Sequence, residues 1–450
     1  MLNEAAPVFE GIKHIGLFGL GRSNLAILEG LCGSDTEITL RSDKKIDRTL
    51  IPSGVKISAI YEGEAAFFSL SEQTLVLSPS VRRDRPELLS ASERGVRLTS
   101  DAELFFGRVD APVYAISGSD GKSTTSALTT LLLGGKSSGT ALCGNVGEPM
   151  LPTLGRYSRY VTELSSFMLS YLTPVSKRAA LTNITPNHLD WHRDFEEYKT
   201  AKLGIYKATD EPIINLDDRI IKESVSAPVF AAVTARLGYK EARSQINAEL
   251  YYTLEDGYIK RCGEPYLAVD VIKRREAHSL KNLMLALALT DGCRLSDPIE
   301  VARNFGGLAH RCELVFRWRK IRFVDSSIDT SPARCATTLA SLNTPFAVIL
   351  GGRDKGVPFT PIKEALKNCR VAIIFGECRE KIIEALPHAL PYRLASDMTE
   401  AVELAASHAK DGDTVILSPA ATSYDMYGSF EERGDDFKSA VKEYIKKHDI

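Results

Sequence analysis

Short apolar runs rich in Val, Ile and Leu recur along this 450-residue chain, and most of them end in Gly, Ser, Asp or Asn. Ten of them read as strands: "KHIGLFGLG" (13–21), "EITL" (37–40), "TLVLSP" (74–79), "VYAISG" (113–118), "YVTELSS" (160–166), "AALTNI" (179–184), "PIINLD" (212–217), "FAVILGG" (346–352), "RVAIIFG" (370–376) and "DTVILSP" (413–419). The runs are continuous rather than alternating, so both faces of each strand expect cover. Helix-like segments follow them, as repeated βα units of a parallel sheet require. "STTSALTTLLLGG" (123–135) reads as a helix stopped by Gly134 and Gly135, and "HSLKNLMLALALTDGC" (278–293) as a long apolar helix. "YYTLEDGYIKRCGEPYLAV" (251–269) alternates about Asp256-Gly257 and predicts a hairpin. Breaks near 107–112 and 305–314 divide the chain into three α/β domains, 1–110, 111–308 and 309–450.

Composition adds little to this picture and excludes some classes. The formal net charge is −2, with 44% apolar and 25% charged residues, so there is no nucleic-acid or membrane-surface footprint. The opening "MLNEAAPVFEG" lacks an apolar run of signal length, and no stretch approaches the roughly 20 apolar residues of a membrane span. The eight cysteines stand singly without a C-x-x-C pair, which predicts reduced thiols in a cytoplasmic protein.

In parallel α/β sheets ligands gather beyond the carboxyl ends of the strands, so the chemistry is expected in the segments just after each run. "AISGSDGKSTT" (115–125) carries the strongest signal. It places Gly118, Ser119, Asp120, Gly121, Lys122, Ser123 and Thr124 between a strand and a helix, the context of a phosphate-binding loop. The common form of that loop has glycine where this chain has Ile116. Glycines turn backbone N–H groups toward a phosphate, the helix start adds its dipole, Lys122 adds a charge and Ser123 a hydroxyl for Mg²⁺. ATP is therefore the expected nucleotide. A second glycine turn, Gly19-x-Gly21, has Asn24 where a dinucleotide fingerprint wants glycine, and it reads equally as a diphosphate site or a plain turn. Glu163 and His188 each follow a strand. Glu163 suits Mg²⁺ better than the histidine does. Singly, the glutamate also reads as a cap and the histidine as a hydrogen-bonded turn.

Nine ordered blocks together resemble the Mur ligases of peptidoglycan synthesis: "SGSDGKSTT" (117–125), "CGNVGEP" (143–149), "TELSSFML" (162–169), "TNITPNHLDWH" (182–192), "YKTAKLGIYK" (198–207), "GLAHRCELV" (307–315), "SSIDTSP" (326–332), "LGGRDKG" (350–356) and "LSPAATSYDMYGSFEERGDDF" (417–437). That family's phosphate loop is short, so Ile116 is no defect within it. The resemblance implies a Rossmann-like first domain that binds a UDP-substrate, a central ATPase domain of phosphate-loop type, and a Rossmann-like last domain that binds the amino acid. It implies a monomer with hinges near 107–112 and 305–312.

Residue by residue, the resemblance implies phosphate contacts for Lys122 and Arg311, an adenine contact for Asn282, and metal positions at Ser123, Glu163 and His188. Two Mg²⁺ ions are implied. Lys202 matches a lysine that the family carbamylates, whereas helical spacing alone makes it a solvated surface lysine. Lys122, His188, Lys202 and Arg311 are the implied catalytic set. Gly19, Gly21, Arg22, Ser23 and Asn145 match the UDP-substrate side, with the "LSPSV" turn (77–81) nearby. Thr330, Lys355, Ser423 and Phe430 match the D-glutamate positions. The run from Ser423 to Gly434 marks the branch that adds D-glutamate to UDP-N-acetylmuramoyl-L-alanine through an acyl phosphate. The implied partners are small molecules only. Without the family, Asn282 is a helix-surface amide and Arg311 an inter-domain salt bridge. Three positions depart from the pattern: Ile328 for a lysine, Ser80 for a glycine and Met168 for a glutamine. Rival readings are the alanine-, diamino-acid- or dipeptide-adding relatives, folylpolyglutamate synthase, a non-catalytic nucleotide binder, and a dinucleotide-dependent oxidoreductase.

Overall fold

A computed structural model describes residues 8–225, 228–354 and 356–449. The chain packs as two compact units, Met1–Phe305 and Gly306–Ile450. Among the described residues there are three sheets, two in the first unit and one in the second.

The first sheet holds β1 (His14–Phe18), β2 (Glu37–Ser42), β3 (Lys56–Glu62), β4 (Thr74–Leu77) and β5 (Arg97–Thr99) in the order β3-β2-β1-β4-β5, all parallel. The chain reverses its direction of winding between β1 and β4. A parallel sheet leaves its ligand crevice there, outside the carboxyl ends of the two strands. Helix α1 (Arg22–Gly30) follows β1, and α2 (Asp101–Phe106) leads to the next sheet.

The second sheet holds β6 (Val113–Ser117), β7 (Thr140–Gly144), β8 (Arg159–Glu163), β9 (Ser176–Leu181), β10 (Thr209–Asn215), β11 (Val229–Thr234), β12 (Ala248–Glu255), β13 (Tyr258–Arg261) and β14 (Glu264–Ala268). Its order is β14-β13-β12-β11-β10-β9-β6-β8-β7, parallel except for the antiparallel β12–β14 meander. Every residue of β6 is buried, as its unbroken apolar run requires. Asp256 and Gly257 both take positive φ, +51° and +76°, and turn β12 into β13, as the predicted hairpin demands. Helices α3 (Lys122–Leu132) and α5 (Ala277–Leu289) cover one face, with α4 (Phe195–Leu203) on the other. From Leu283 to Leu289 every α5 residue is buried.

The third sheet holds β15 (Glu313–Trp318), β16 (Ile321–Asp325), β17 (Phe346–Gly351), β18 (Cys369–Phe375), β19 (Tyr392–Leu394) and β20 (Thr414–Leu417) in the order β15-β16-β20-β17-β18-β19. Only β15 is antiparallel to its neighbour. Helix α6 (Phe430–His448) closes the unit. All eight cysteines are unpaired, and none of the described helices is long and apolar enough to cross a membrane.

One buried cation frames the loops at the carboxyl ends of β16, β17 and β20. Arg433 of α6 is 0% exposed. Its guanidinium donates to Ser327 Oγ (3.0 Å), Ser327 O (2.9 Å), Ala421 O (3.1 Å) and Gly351 O (3.3 Å). Burial lowers its pKa to about 10, against the pull of Asp425. Replacing Arg433 by Met leaves these carbonyls buried and unsatisfied, at a cost of about 1–3 kcal/mol each. Arg433→Met is therefore expected to destabilise the 306–450 unit by about 2–5 kcal/mol. Urea unfolding followed on Trp318 checks this; a loss under about 0.5 kcal/mol, the usual surface effect, sinks it.

Candidate functional site

The glycine loop follows β6 where the second sheet changes its winding direction, with β9 on one side and β8 on the other. Gly118 has φ +141°, and a Cβ there would lie 1.9 Å from Thr182 Oγ1. Gly121 has φ +81°, and its Cβ would lie 2.5 Å from Asn282 Oδ1. Only glycine fits either place. The loop is fastened to the end of β9: Ser119 N–H donates to Asn183 O (2.8 Å) and Asp120 N–H to Asn183 Oδ1 (2.9 Å). Ser119 Oγ donates to Thr185 O (2.9 Å) and lies 2.7 Å from Tyr198 Oη. Lys122, Ser123 and Thr124 form the first turn of α3, and Lys122 Nζ donates back to Ser119 O at 2.7 Å. Asn282 is buried, not on the helix surface. Its side chain packs against Gly121, because α5 lies along α3.

Lys202 corrects the expectation that helical spacing alone gives. It is 2% exposed, pointing from α4 into the loop. Its Nζ donates to Gly118 O (2.7 Å) and to Ser117 Oγ (3.4 Å) and stands 4.9 Å from the Tyr198 ring centroid. Burial, aided by the charge of Lys122, brings its pKa down to about 7, against Glu163 and Asp120. Glu163, the last residue of β8, is 0% exposed. Its Oε1 accepts from Asn145 Nδ2 at 2.6 Å, while Oε2 is buried with no hydrogen-bond partner. An orphaned, buried carboxylate oxygen at the end of the strand paired with β6 suits a hard divalent cation. His188 sits at φ +54° in the loop after β9, its ring edge-on to Phe167 at 5.0 Å. Partial burial holds its pKa below the usual histidine value, and the charges of Lys122 and Lys202 add to this against Asp190. The field of both lysines thus reaches His188.

In the first sheet, Gly19 N–H donates to Arg41 O (2.7 Å), and Gly21 caps α1. Asn24 takes over the fastening of this turn: its Nδ2 donates to Gly19 O (2.7 Å) and Phe18 O (3.1 Å). Arg22 donates to Gly144 O (2.8 Å), one residue before Asn145. Ser23 hydrogen-bonds Asp101, a buried carboxyl raised by burial that also accepts from Leu151 N (3.0 Å). Of the residues expected on the UDP-substrate side, Arg22 thus reaches the "GNVG" turn that carries Asn145.

In the second unit, Thr330 and Ser423 follow β16 and β20, and Phe430 opens α6. Ser327 Oγ donates to Phe430 O (2.7 Å), bringing two of these loops together. Lys355 lies outside the described residues. Arg311 sits in a loop whose neighbour His310 hydrogen-bonds Asp325 (2.7 Å), which raises the His310 pKa. His310, Glu313 and Asp325 crowd together, and Lys438 Nζ reaches Glu313 at 2.8 Å, so an ammonium already compensates this acidic pair. Ile328 brings no cation to its loop; its N–H donates to His310 O (3.1 Å). The sequence reading missed Arg433, Asn24 and Trp191 as fixtures. A polar or aromatic residue inside a motif block was the available signal, but nothing in spacing says what it touches.

Residues 116–290 match the Mur ligase middle domain, and residues 310–421 match the Mur ligase glutamate ligase domain. A UDP-N-acetylmuramoylalanine--D-glutamate ligase of Clostridium tetani is 31% identical over 449 residues, covering 96% of each chain. One of the same name from Symbiobacterium thermophilum is 34% identical over 456 residues, covering 96% of this chain and 98% of its own. The crystal structure of the UDP-N-acetylmuramate-alanine ligase MurC of Thermotoga maritima superposes with a TM-score of 0.57 at 18% identity, covering 96% of this chain and 99% of that one, and so shares the three-domain α/β fold. With kinship above 30% along nearly its whole length, the chain belongs to the Mur ligase family, in the group of the UDP-N-acetylmuramoylalanine--D-glutamate ligases.

Proposed function

We propose that this protein is an ATP-dependent ligase that joins D-glutamate to UDP-N-acetylmuramoyl-L-alanine, in cytoplasmic synthesis of the peptidoglycan precursor. The observation that supports it most is the meeting of Lys122, Lys202 and the unpartnered Glu163 Oε2 around a glycine loop, in a chain of this kinship. In this reading Gly118–Thr124 cradle the ATP phosphates, Lys122 and Arg311 contact them, and Asn282 serves the nucleotide. The UDP-substrate lies along Gly19, Gly21, Arg22, Ser23 and Asn145. Thr330, Lys355, Ser423 and Phe430 hold D-glutamate.

The substrate's carboxylate oxygen attacks the γ-phosphorus of ATP, the bond to the ADP oxygen breaks, and ADP leaves. Two anions must approach one another, so the residues' task is mostly electrostatic. Lys122 lies within the loop to offset the charge, and the helix start adds its partial positive end. The resulting acyl phosphate is attacked by the neutral amine of D-glutamate; the tetrahedral adduct expels phosphate, a proton is lost, and an amide remains. Water hydrolyses acyl phosphates, so the loops must exclude it. Ser123, Glu163, His188 and Lys202 are the residues that would hold Mg²⁺, in two sites; bound there, the metal neutralises phosphate charge.

Lys202 fits carbamylation because burial keeps its amine largely neutral above about pH 7. Neutral Nζ attacks CO₂, an N–C bond forms, one N–H proton goes to solvent, and a carbamate anion results. That anion would turn a cation into an oxygen ligand next to Glu163.

Phosphate release from ATP tests the reaction. Release is expected only when UDP-N-acetylmuramoyl-L-alanine and D-glutamate are both present, with the amide seen by mass. Release with L-alanine or a diamino acid instead would move the substrate assignment, and ATP binding without release would favour a non-catalytic binder. Lys122→Ala is expected to lower kcat by at least about 100-fold, as loss of a transition-state charge contact does; wild-type turnover would remove the phosphate role.

A second prediction concerns pH. The folded pKa of Lys202 lies below its unfolded value of 10.5, so between pH 7 and 10.5 the unfolded chain binds the extra proton. Without CO₂, stability from this group therefore rises with pH across that window. Urea unfolding of wild type against Lys202→Met, in CO₂-free buffer, is expected to give a difference that grows with pH. With ¹³C-bicarbonate, the wild type is expected to show a carbamate carbonyl resonance that Lys202→Met lacks. A flat difference and no resonance would reject the carbamate.

A further inference from the structure

The turn after β4 and the loop after β9 lie 111 residues apart in sequence and meet at Trp191. The indole Nε1 of Trp191 donates to Ser80 O at 2.8 Å. Its backbone carbonyl accepts from Arg82 Nη1 at 2.5 Å, and the Arg82 guanidinium stands 4.9 Å from its ring centroid. Arg82 is itself held by Asp84 (2.6 Å) and by Glu197 in the first turn of α4 (3.0 Å). Burial would raise the Glu197 carboxyl, yet hydrogen bonds from Arg82 and Arg193 hold it at about 2. This pair therefore stays charged throughout the physiological range.

On its other side the indole packs against Phe167 at 4.5 Å, and Phe167 meets the His188 ring edge-on at 5.0 Å. Trp191 N–H also donates to His188 O at 3.1 Å. His188 occupies a left-handed backbone state uncommon outside glycine, and such states persist only where surrounding contacts over-determine them. A parallel strap lies alongside. Arg83 N–H donates to Tyr171 Oη (3.0 Å), the Arg83 guanidinium covers that ring at 4.8 Å, and Tyr171 meets Trp191 edge-on at 6.4 Å.

We propose that Trp191 is a positioning residue that couples the turn at Ser78–Arg82 to His188, so that seating the nucleotide-sugar on the first sheet fixes the loop that carries His188. The proposal rests on the reading above, in which that turn lies near the residues that bind the UDP-substrate and His188 is one of the residues that would hold Mg²⁺. Trp191 joins the two: its indole N–H goes to the turn, its ring to Phe167 and its backbone N–H to His188. Packed rings and hydrogen bonds that join two loops without a gap are the kind of contiguous network that carries energetic coupling.

Two variants separate the contacts. Trp191→Phe keeps a ring on Phe167 and loses the N–H donor. It is expected to raise KM for UDP-N-acetylmuramoyl-L-alanine about 3- to 10-fold, the worth of one such hydrogen bond. Trp191→Ala also removes the ring and is expected to lower kcat by more than about tenfold, with KM for ATP unchanged in both. Unchanged nucleotide-sugar KM in both variants, or a fall in kcat alone, would overturn the coupling.

A second measurement does not depend on either variant folding. The chain has two tryptophans, Trp191 and Trp318, so Trp318→Phe leaves Trp191 as the reporter. Its emission is expected to shift when UDP-N-acetylmuramoyl-L-alanine is added without ATP; no shift at a concentration that calorimetry shows to be saturating overturns the proposal. If calorimetry finds no binding of this nucleotide-sugar to the wild type, the substrate reading itself fails and the coupling falls with it.

Discussion

At Gly118 the chain passes so close to Thr182 that no side chain fits between them. The rest of the central site depends on that approach. It lets Ser119 and Asp120 bond to Asn183, which fixes the glycine loop on the end of β9 rather than on its own helix alone. It also leaves Gly118 O within 2.7 Å of Lys202 Nζ, and so draws a lysine from α4 into the loop. Any residue with a Cβ at 118 would push the loop off β9 and separate the two lysines from their carbonyl acceptors at once.

That geometry sets up an electrostatic imbalance. Lys122 and Lys202 lie near one another, and each donates to a backbone carbonyl of the loop. The nearest buried acid, Glu163, spends one oxygen on Asn145 and keeps the other unpartnered. In a medium of low effective dielectric these charges act on one another more strongly than in water. The protein relieves the imbalance in part by letting Lys202 approach neutrality, with a pKa of about 7. On the proposed reading, the uncommitted carboxylate oxygen would take a divalent cation and the glycine-lined helix start a phosphate.

Much of the frame was legible in the sequence because buried parallel strands have no polar face to blur them. The ten apolar runs all became strands, and Asp256-Gly257 became the hairpin turn. The strands that escaped notice were mostly short, at an edge, or alternating in exposure: β19 is exposed throughout, and β3 has no fully buried residue. The glycine loop was legible for a different reason, since its chemistry lies in its own backbone. Lys202 and Asn282 were not legible from spacing, because their burial comes from how α4 and α5 pack against the loop. Only kinship pointed to them. Asn24 shows the limit from the other direction: the residue that spoils a dinucleotide fingerprint is the one that fastens the turn.

The "EERG" run near the chain's end carries the same lesson one step further. As a motif it marks a branch of the family, and a mark of that kind invites a ligand contact. In the structure its arginine is 0% exposed and its hydrogen bonds end on Ser327, Gly351 and Ala421. A buried cation bonded to a hydroxyl and to carbonyls is an expensive fixture, since neutral acceptors do not repay the loss of its hydration as an ion pair can. Its return is geometric: one planar group with fixed donor directions sets the mutual positions of three loops that enter from three strands. The residues that would grip an amino acid sit on those same loops and on the first turn of α6. On the proposed reading, specificity in this unit would therefore depend on two layers of sequence. Side chains that face the amino acid would act only from loops whose spacing the buried arginine sets.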